Sequence, residues 1–159
     1  MKKIIFILIS LLTCSLTINA QSPNSNAVFF EIGGPGLASF NYDTRFTKQA
    51  TGWGGRIGIG GFGGANDLGV LTVPIGINFL ASGDDRHFFE VGINQTFLSV
   101  KENIFGETNN SSSTFTTLNF GYRSQPKGKG FLFKAAVNPI FTNGYFFPFY
   151  FGLGFGYKF

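Results

Sequence analysis

From residue 27 onward the chain alternates hydrophobic and polar positions with period two, and no stretch keeps the 3.6-residue repeat of an amphipathic helix. The clearest run is Leu71 to Leu80. Leu71, Val73, Ile75, Ile77 and Phe79 share one face, and Thr72, Pro74, Gly76, Asn78 and Leu80 share the other, as a pleated strand requires. In the last segment Phe149, Phe151, Leu153, Phe155, Tyr157 and Phe159 oppose Tyr150, Gly152, Gly154, Gly156 and Lys158. Similar splits occur over 38–46, 53–60, 88–97, 117–123 and 131–138, and a shorter strand over Val28 to Gly33 brings the expected total to eight.

Alternation alone does not say which face meets water, but the placement of charge does. A soluble barrel keeps charges outside around an apolar interior, whereas a membrane barrel turns its apolar face to lipid and encloses the polar one. Here one face is continuously greasy. The other carries Glu31, Asp43, Arg45, Arg56, Glu90, Arg123 and Lys134 interleaved with glycine. Glycine on a charged outer surface would serve nothing; inside a narrow barrel it leaves room for Arg and Glu. The expected fold is therefore all-β, an eight-stranded antiparallel up-and-down transmembrane barrel occupying residues 27–159. Eight strands enclose a space that side chains just fill. The seven charged residues should accordingly pair with one another in the lumen, since an unpaired buried charge is costly. Such a network points to structural packing ahead of a gated pore or a proton path.

Connection lengths agree with a membrane barrel, in which short turns alternate with longer loops. With the amino end on the periplasmic side, Thr47–Gly52, Ala81–Arg86 and Ser124–Lys129 are the short periplasmic turns. Gly34–Gly36, Gly63–Gly69, Lys101–Ser113 and Ile140–Pro148 are external. The longest and most polar, Lys101–Ser113, falls outside. The run Phe141–Pro148 is apolar for a loop, and it is expected to extend the wall or dip into the outer leaflet.

Composition sharpens this picture. The 159 residues include 22 Phe and 23 Gly, with only 13% charged. Residues 1–20 have the parts of a secretory leader: Lys2 and Lys3, an apolar stretch from Ile4 to Leu12, and Asn19-Ala20 as a cleavage site ahead of a short segment over 21–26. Ile18 stands where a small residue is preferred. The apolar stretch is shorter than the roughly 20 residues of a spanning helix. Removing Lys2 and Lys3 from the 12 Lys and Arg leaves ten bases against eight acids, too small an excess to argue for nucleic acid. Cys14, the one cysteine, lies within the leader, so the mature chain has no thiolate chemistry. Lipid attachment at Cys14 is the alternative, weakened by Thr13 in front of it.

The segments Phe40-Asn41-Tyr42-Asp43-Thr44-Arg45-Phe46, Thr72 to Asn78, His87 to Ile93, Gly121 to Pro126 and Gly152 to Phe159 resemble the small outer-membrane β-barrel proteins of Gram-negative bacteria, the OmpA/OmpX-like class. That resemblance implies an outer-membrane destination and contact with outer-membrane lipid. The closing alternation ending in Tyr157 and Phe159 resembles the signal read by the outer-membrane assembly machinery. It transfers no catalytic residue, cofactor or metal.

The remaining candidates are weak. His87, the sole histidine, follows Asp84 and Asp85, but without a serine partner its expected role is interfacial positioning rather than general-base catalysis. Gly58-Ile59-Gly60-Gly61-Phe62-Gly63 spells the dinucleotide fingerprint, yet sits in a strand with no helix to follow. Pro74 is expected to introduce a bulge. Trp53, Tyr42, Tyr122, Tyr145 and Tyr157 are candidates for interfacial aromatic girdles. The expected function is a non-enzymatic barrel contributing to envelope structure or contacting an unidentified surface ligand through its external loops. A narrow channel for small or hydrophobic solutes is the alternative, with a lipid-modifying enzyme centred on His87 behind it.

Overall fold

The computed structural model describes residues 25–63, 69–104 and 107–159. The leader over 1–20, with Cys14, lies outside the described residues, as does most of the segment 21–26. The strands are β1 (Ala27–Gly33), β2 (Ala38–Arg45), β3 (Gly52–Gly63), β4 (Gly69–Ala81), β5 (His87–Ile104), β6 (Glu107–Ser124), β7 (Gly130–Val137), β8 (Ile140–Thr142), β9 (Tyr145–Phe147) and β10 (Phe151–Lys158). Neighbours run in the order β5-β4-β3-β2-β1-β10-β7-β6, and β5 pairs β6 to close the ring. Each pairing is antiparallel. Eight strands thus form the wall, and closure removes the unpaired edges that an open sheet would present. The small β8–β9 hairpin rests on β6 through Thr116 opposite Phe141 and Thr117 opposite Ile140.

The period-two faces segregate as the pleat demands. Ile57, Ile77, Ile93, Leu153 and Phe155 stand exposed on the outer wall, while the charged and amide side chains on the opposite face are buried. Close packing inside depends on the interleaved glycines. A Cβ on Gly154, for example, would lie 2.7 Å from Lys134 Cγ.

Pro74 does not produce the expected bulge. Between β3 and β4 the pairs Arg56 with Gly76 and Ile57 with Ile75 resume as Gly60 with Thr72 in unchanged register. Proline lacks an N–H, so the ladder lapses locally. No additional residue is inserted, and the register carries across the gap. On its other side Pro74 remains opposite Thr96 of β5.

The connections depart further from expectation. Lys101–Ser113 is not a loop: β5 and β6 are 18 residues each and stay in register up to Ile104 opposite Glu107. The backbone of a two-stranded ribbon satisfies its own hydrogen bonds whatever its side chains, so a polar ribbon forms without any hydrophobic alternation to announce it. Ile140–Pro148 likewise contains the β8–β9 hairpin, with Gly144 at its tip at φ 81. Gly34–Gly36 is not an exposed external loop but is buried, folded back into the barrel mouth. Residues 64–68 of the Gly63–Gly69 connection lie outside the described residues. The three connections at the opposite end are short.

Candidate functional site

The inward faces of six strands bring the seven charged residues into one chain of ion pairs. Asp43 on β2 lies 2.6 Å from Arg45 and 3.2 Å from Arg123 on β6. Arg123 lies 3.8 Å from Glu90 on β5, and Glu90 is 3.0 Å from Lys134 on β7. Lys134 reaches Glu31 on β1 at 3.3 Å, and Glu31 pairs in turn with Arg56 on β3. Bases and acids alternate from Arg45 to Arg56, so every carboxylate lies between two cations. No side chain of the seven exceeds 2% exposure. At that depth each charge depends on its neighbours for solvation.

Neutral groups complete the network. Asn78 donates to Asp43 at 2.6 Å and its amide oxygen accepts from Arg45. Asn41 accepts from Arg56 Nε at 3.1 Å. The Phe29 ring has both Arg56 Cζ and Lys134 Nζ 5.0 Å from its centroid, which stabilises two cations through the ring face. These three residues share the inward parity of their strands, which is legible in sequence; their partners are not.

The network is closed above and below. Toward the chain termini, Ala27, Leu80, Phe88 and Leu132 are buried at the ends of their strands as an apolar floor. Beyond them Lys158 Nζ donates to the carbonyls of Pro126 and Lys127, both at 2.9 Å. At the far end, Thr96 Oγ1 donates to Pro35 O at 2.8 Å and Thr72 Oγ1 to Gly36 O at 2.7 Å. Those two hydroxyls hold the β1–β2 turn across the mouth as a lid. Gly33 and Gly34 permit it, with φ of 74 and 71. No sequence signal distinguished this inward turn from an outward one.

The other candidates lie apart from the lumen. His87 is on the outer rim at the terminal end, its Nδ1 hydrogen-bonded to the Tyr122 hydroxyl and its Nε2 3.8 Å from Asp84. Asp84 accepts the backbone N–H groups of His87 at 2.8 Å and Arg86 at 3.0 Å, and the Ser82 hydroxyl at 3.2 Å. These donors, led by the His87 N–H, hold its carboxyl well below the ordinary 3.8, at about 2. Because the folded value is depressed, the carboxylate's contribution to turn order is complete above the ordinary value and is lost as pH falls through about 2. An NMR titration of the Asp84 carboxyl carbon should accordingly give a midpoint near 2 rather than 3.8; an ordinary midpoint would contradict the capped turn.

Gly58–Gly63 lies within extended β3, where it offers no helix N-terminus to a phosphate. Trp53, Tyr42, Tyr122 and Tyr157 all face outward, and Trp53 packs edge-on against Phe79 at 5.3 Å. Tyr145 is exposed on β9 at the opposite end. Among the described residues no group of three or more His, Cys, Asp or Glu is placed to hold a metal.

A closed eight-stranded barrel with its charges inside and its large hydrophobic side chains outside has the architecture of the small outer-membrane barrels. It is similar to the N-terminal β-barrel domain of Pseudomonas aeruginosa OprF, at 11% identity and a TM-score of 0.58 over 87% of this chain and 98% of that one. It is also similar to Ail, the attachment invasion locus protein of Yersinia pestis, at 16% identity and a TM-score of 0.53 over 86% and 95% of the two chains. At these identities the likeness concerns the fold. No protein-family model matches the chain, and no curated protein matches it.

Proposed function

We propose that this chain is an integral outer-membrane barrel with a closed interior, a structural or surface-contacting element of the envelope rather than an enzyme or an open channel. The observation that carries this reading is the inversion of the barrel. Ile59 and Phe40 are 60% and 67% exposed on the wall, while Arg123 and Glu31 are fully buried in the lumen. In water such a surface would drive association; in hydrocarbon it is the favoured solvent boundary.

The leader would deliver the chain across the inner membrane, and the outward-facing Tyr157 and Phe159 of the last strand would present the signal to the assembly machinery. With the termini periplasmic, the β5–β6 ribbon and the β8–β9 hairpin project from the cell-surface end, where a surface ligand would meet them. Exposed Phe141, Phe146 and Phe147 continue the apolar wall upward and suit contact with the outer leaflet. The ion-pair chain, apolar floor and lid together favour a sealed lumen over a solute path.

The mature chain folded into vesicles should migrate differently on a gel before and after heating and resist alkaline extraction. Trp53, the single tryptophan, should emit at short wavelength and be quenched by brominated acyl chains. Recovery in the soluble fraction with quenching only from the aqueous side would overturn the proposal. Single-channel recording should show no conductance steps.

A further inference from the structure

We propose a binding site for a glycerophospholipid on the outer wall at the terminal end, in which Arg86 and His87 take the phosphate and a furrow beside Ala135 takes an acyl chain. The proposal rests on the wall being lipid-facing. It adds a specific ligand to what would otherwise be a general solvent contact.

Two adjoining grooves of opposite chemistry carry the argument. The lower, of about 400 Å³, is lined by Arg86, His87, Ser124, Gln125 and Phe131 with the adjacent turn. It therefore offers a guanidinium, an imidazole and a hydroxyl on one side and an aromatic ring on the other. The upper, of about 300 Å³, runs along β6 and β7 toward β10 between Phe120, Tyr122, Ala135, Val137 and Leu153. Its walls are aromatic and aliphatic, and Ala135 opposite Tyr122 keeps it open because the methyl group fills little of the space.

Tyr122 joins them. Its ring lines the upper furrow, and its hydroxyl bonds His87 Nδ1 at the top of the lower groove. The other ring nitrogen, Nε2, lies 3.8 Å from Asp84 Oδ2, beyond hydrogen-bond distance, and is left to meet a ligand. An amphiphile laid along this line meets the Arg86 guanidinium and the His87 imidazole below Tyr122 and hydrocarbon above it. That order suits a phospholipid whose phosphate is at the interface and whose chain rises along the wall.

The electrostatics favour an anion despite two nearby carboxylates. Asp84 Oδ1 accepts from the Arg86 and His87 backbone N–H groups and the Ser82 hydroxyl, while its Oδ2 lies 3.8 Å from His87 Nε2. Asp85 is the other acid of this turn. Against them, Lys48, Arg86, Lys127 and Lys129 lie in the three short connections at this end, and Arg86 forms no ion pair among the described residues. Phosphate held by an arginine fork and a second N–H donor forms charge-assisted hydrogen bonds that a neutral diacylglycerol cannot make. Basic residues near a membrane surface attract anionic lipid in the same sense.

Native mass spectrometry on the folded mature chain in detergent, titrated with dioleoylphosphatidylglycerol, diolein or inorganic phosphate, separates the contributions. The phospholipid should be retained about tenfold more tightly than diolein, and inorganic phosphate should not be retained; both comparisons use the unaltered chain. Replacing Arg86→Gln with His87→Gln should reduce phospholipid retention about tenfold and leave diolein unchanged. Ala135→Trp, which fills the furrow, should weaken both lipids, while Lys101→Gln at the opposite end should alter neither. Equal retention of phospholipid and diolein, or undiminished binding in the Arg86 and His87 variant, would overturn the site. Heat-modifiable migration is read on the same samples. If the unaltered chain does not insert into bilayers, the lipid-facing reading fails and takes the site with it; if it inserts without this selectivity, the site alone fails.

Discussion

Asp43→Ala should lower the unfolding free energy of the vesicle-inserted barrel by about 3–5 kcal/mol, the range for breaking a buried ion pair by removing one partner. Asp43 is the acid between Arg45 at 2.6 Å and Arg123 at 3.2 Å, and it also accepts from Asn78 at 2.6 Å. Its loss therefore leaves Arg45 with no acidic partner in the network and Arg123 with only Glu90, 3.8 Å away. Neither guanidinium can reach bulk water past the apolar floor or the lid, and arginine does not escape the cost by losing its proton. Urea titration followed by Trp53 emission and by gel migration measures the loss. The variant Asp43→Ala with Arg45→Met removes a charge of each sign and should recover part of the stability. A change below about 1 kcal/mol for Asp43→Ala would show that the lumen is hydrated and that the ion-pair chain is not closed.

Ile77→Arg should cost about 2–4 kcal/mol in a bilayer, the penalty for a basic residue at mid-depth on the lipid face of a barrel. Ile77 is 46% exposed on the wall, opposite Gly55 on β3 and Ile93 on β5, so arginine there creates no steric conflict with the lumen. The whole cost would come from hydrocarbon. If the wall faced water, the same substitution at an exposed site would lie within about 0.5 kcal/mol of neutral. Ser112→Arg on the exposed polar ribbon provides the matched control and should be close to neutral. Equal effects at the two positions in the urea titration would remove the membrane from the explanation.

The two substitutions probe the two faces of one alternating pattern, and that pattern is readable in the sequence. A pleated strand turns successive side chains to opposite faces, so Ile75, Ile77 and Phe79 had to share a side, and Asn78 and Leu80 the other. The interleaving of Arg56, Glu90, Arg123 and Lys134 with glycine assigned that second side to a cramped interior. The extension of β5 and β6 into a polar ribbon was hidden for the complementary reason. Between two solvated faces there is no burial to impose a hydrophobic period, and only backbone pairing makes Lys101 and Asn110 neighbours.

Pro74 was visible as an interruption, but whether a bulge relieved it depended on the register of β3 alongside. His87 stood next to Asp84 and Arg86 in sequence, yet its contact with Tyr122 arises because β5 and β6 pair antiparallel, bringing together residues 35 positions apart. The lid required still more: Gly34-Pro35-Gly36 reads as an ordinary tight turn, and its inward course is set by the hydroxyls of Thr72 and Thr96 on two later strands.

By itself, then, the sequence determined the eight strands of the wall, the two faces of each and the set of charges enclosed, because these follow from local pleat geometry and the cost of burying charge, while the β8–β9 hairpin did not show in it. Tertiary structure alone decided that Asp43 is shared by Arg45 and Arg123, that Glu31 is shared by Arg56 and Lys134, and that the mouth is covered. Those outcomes depend on the relative stagger of strands in a closed ring, which a period of two leaves undetermined.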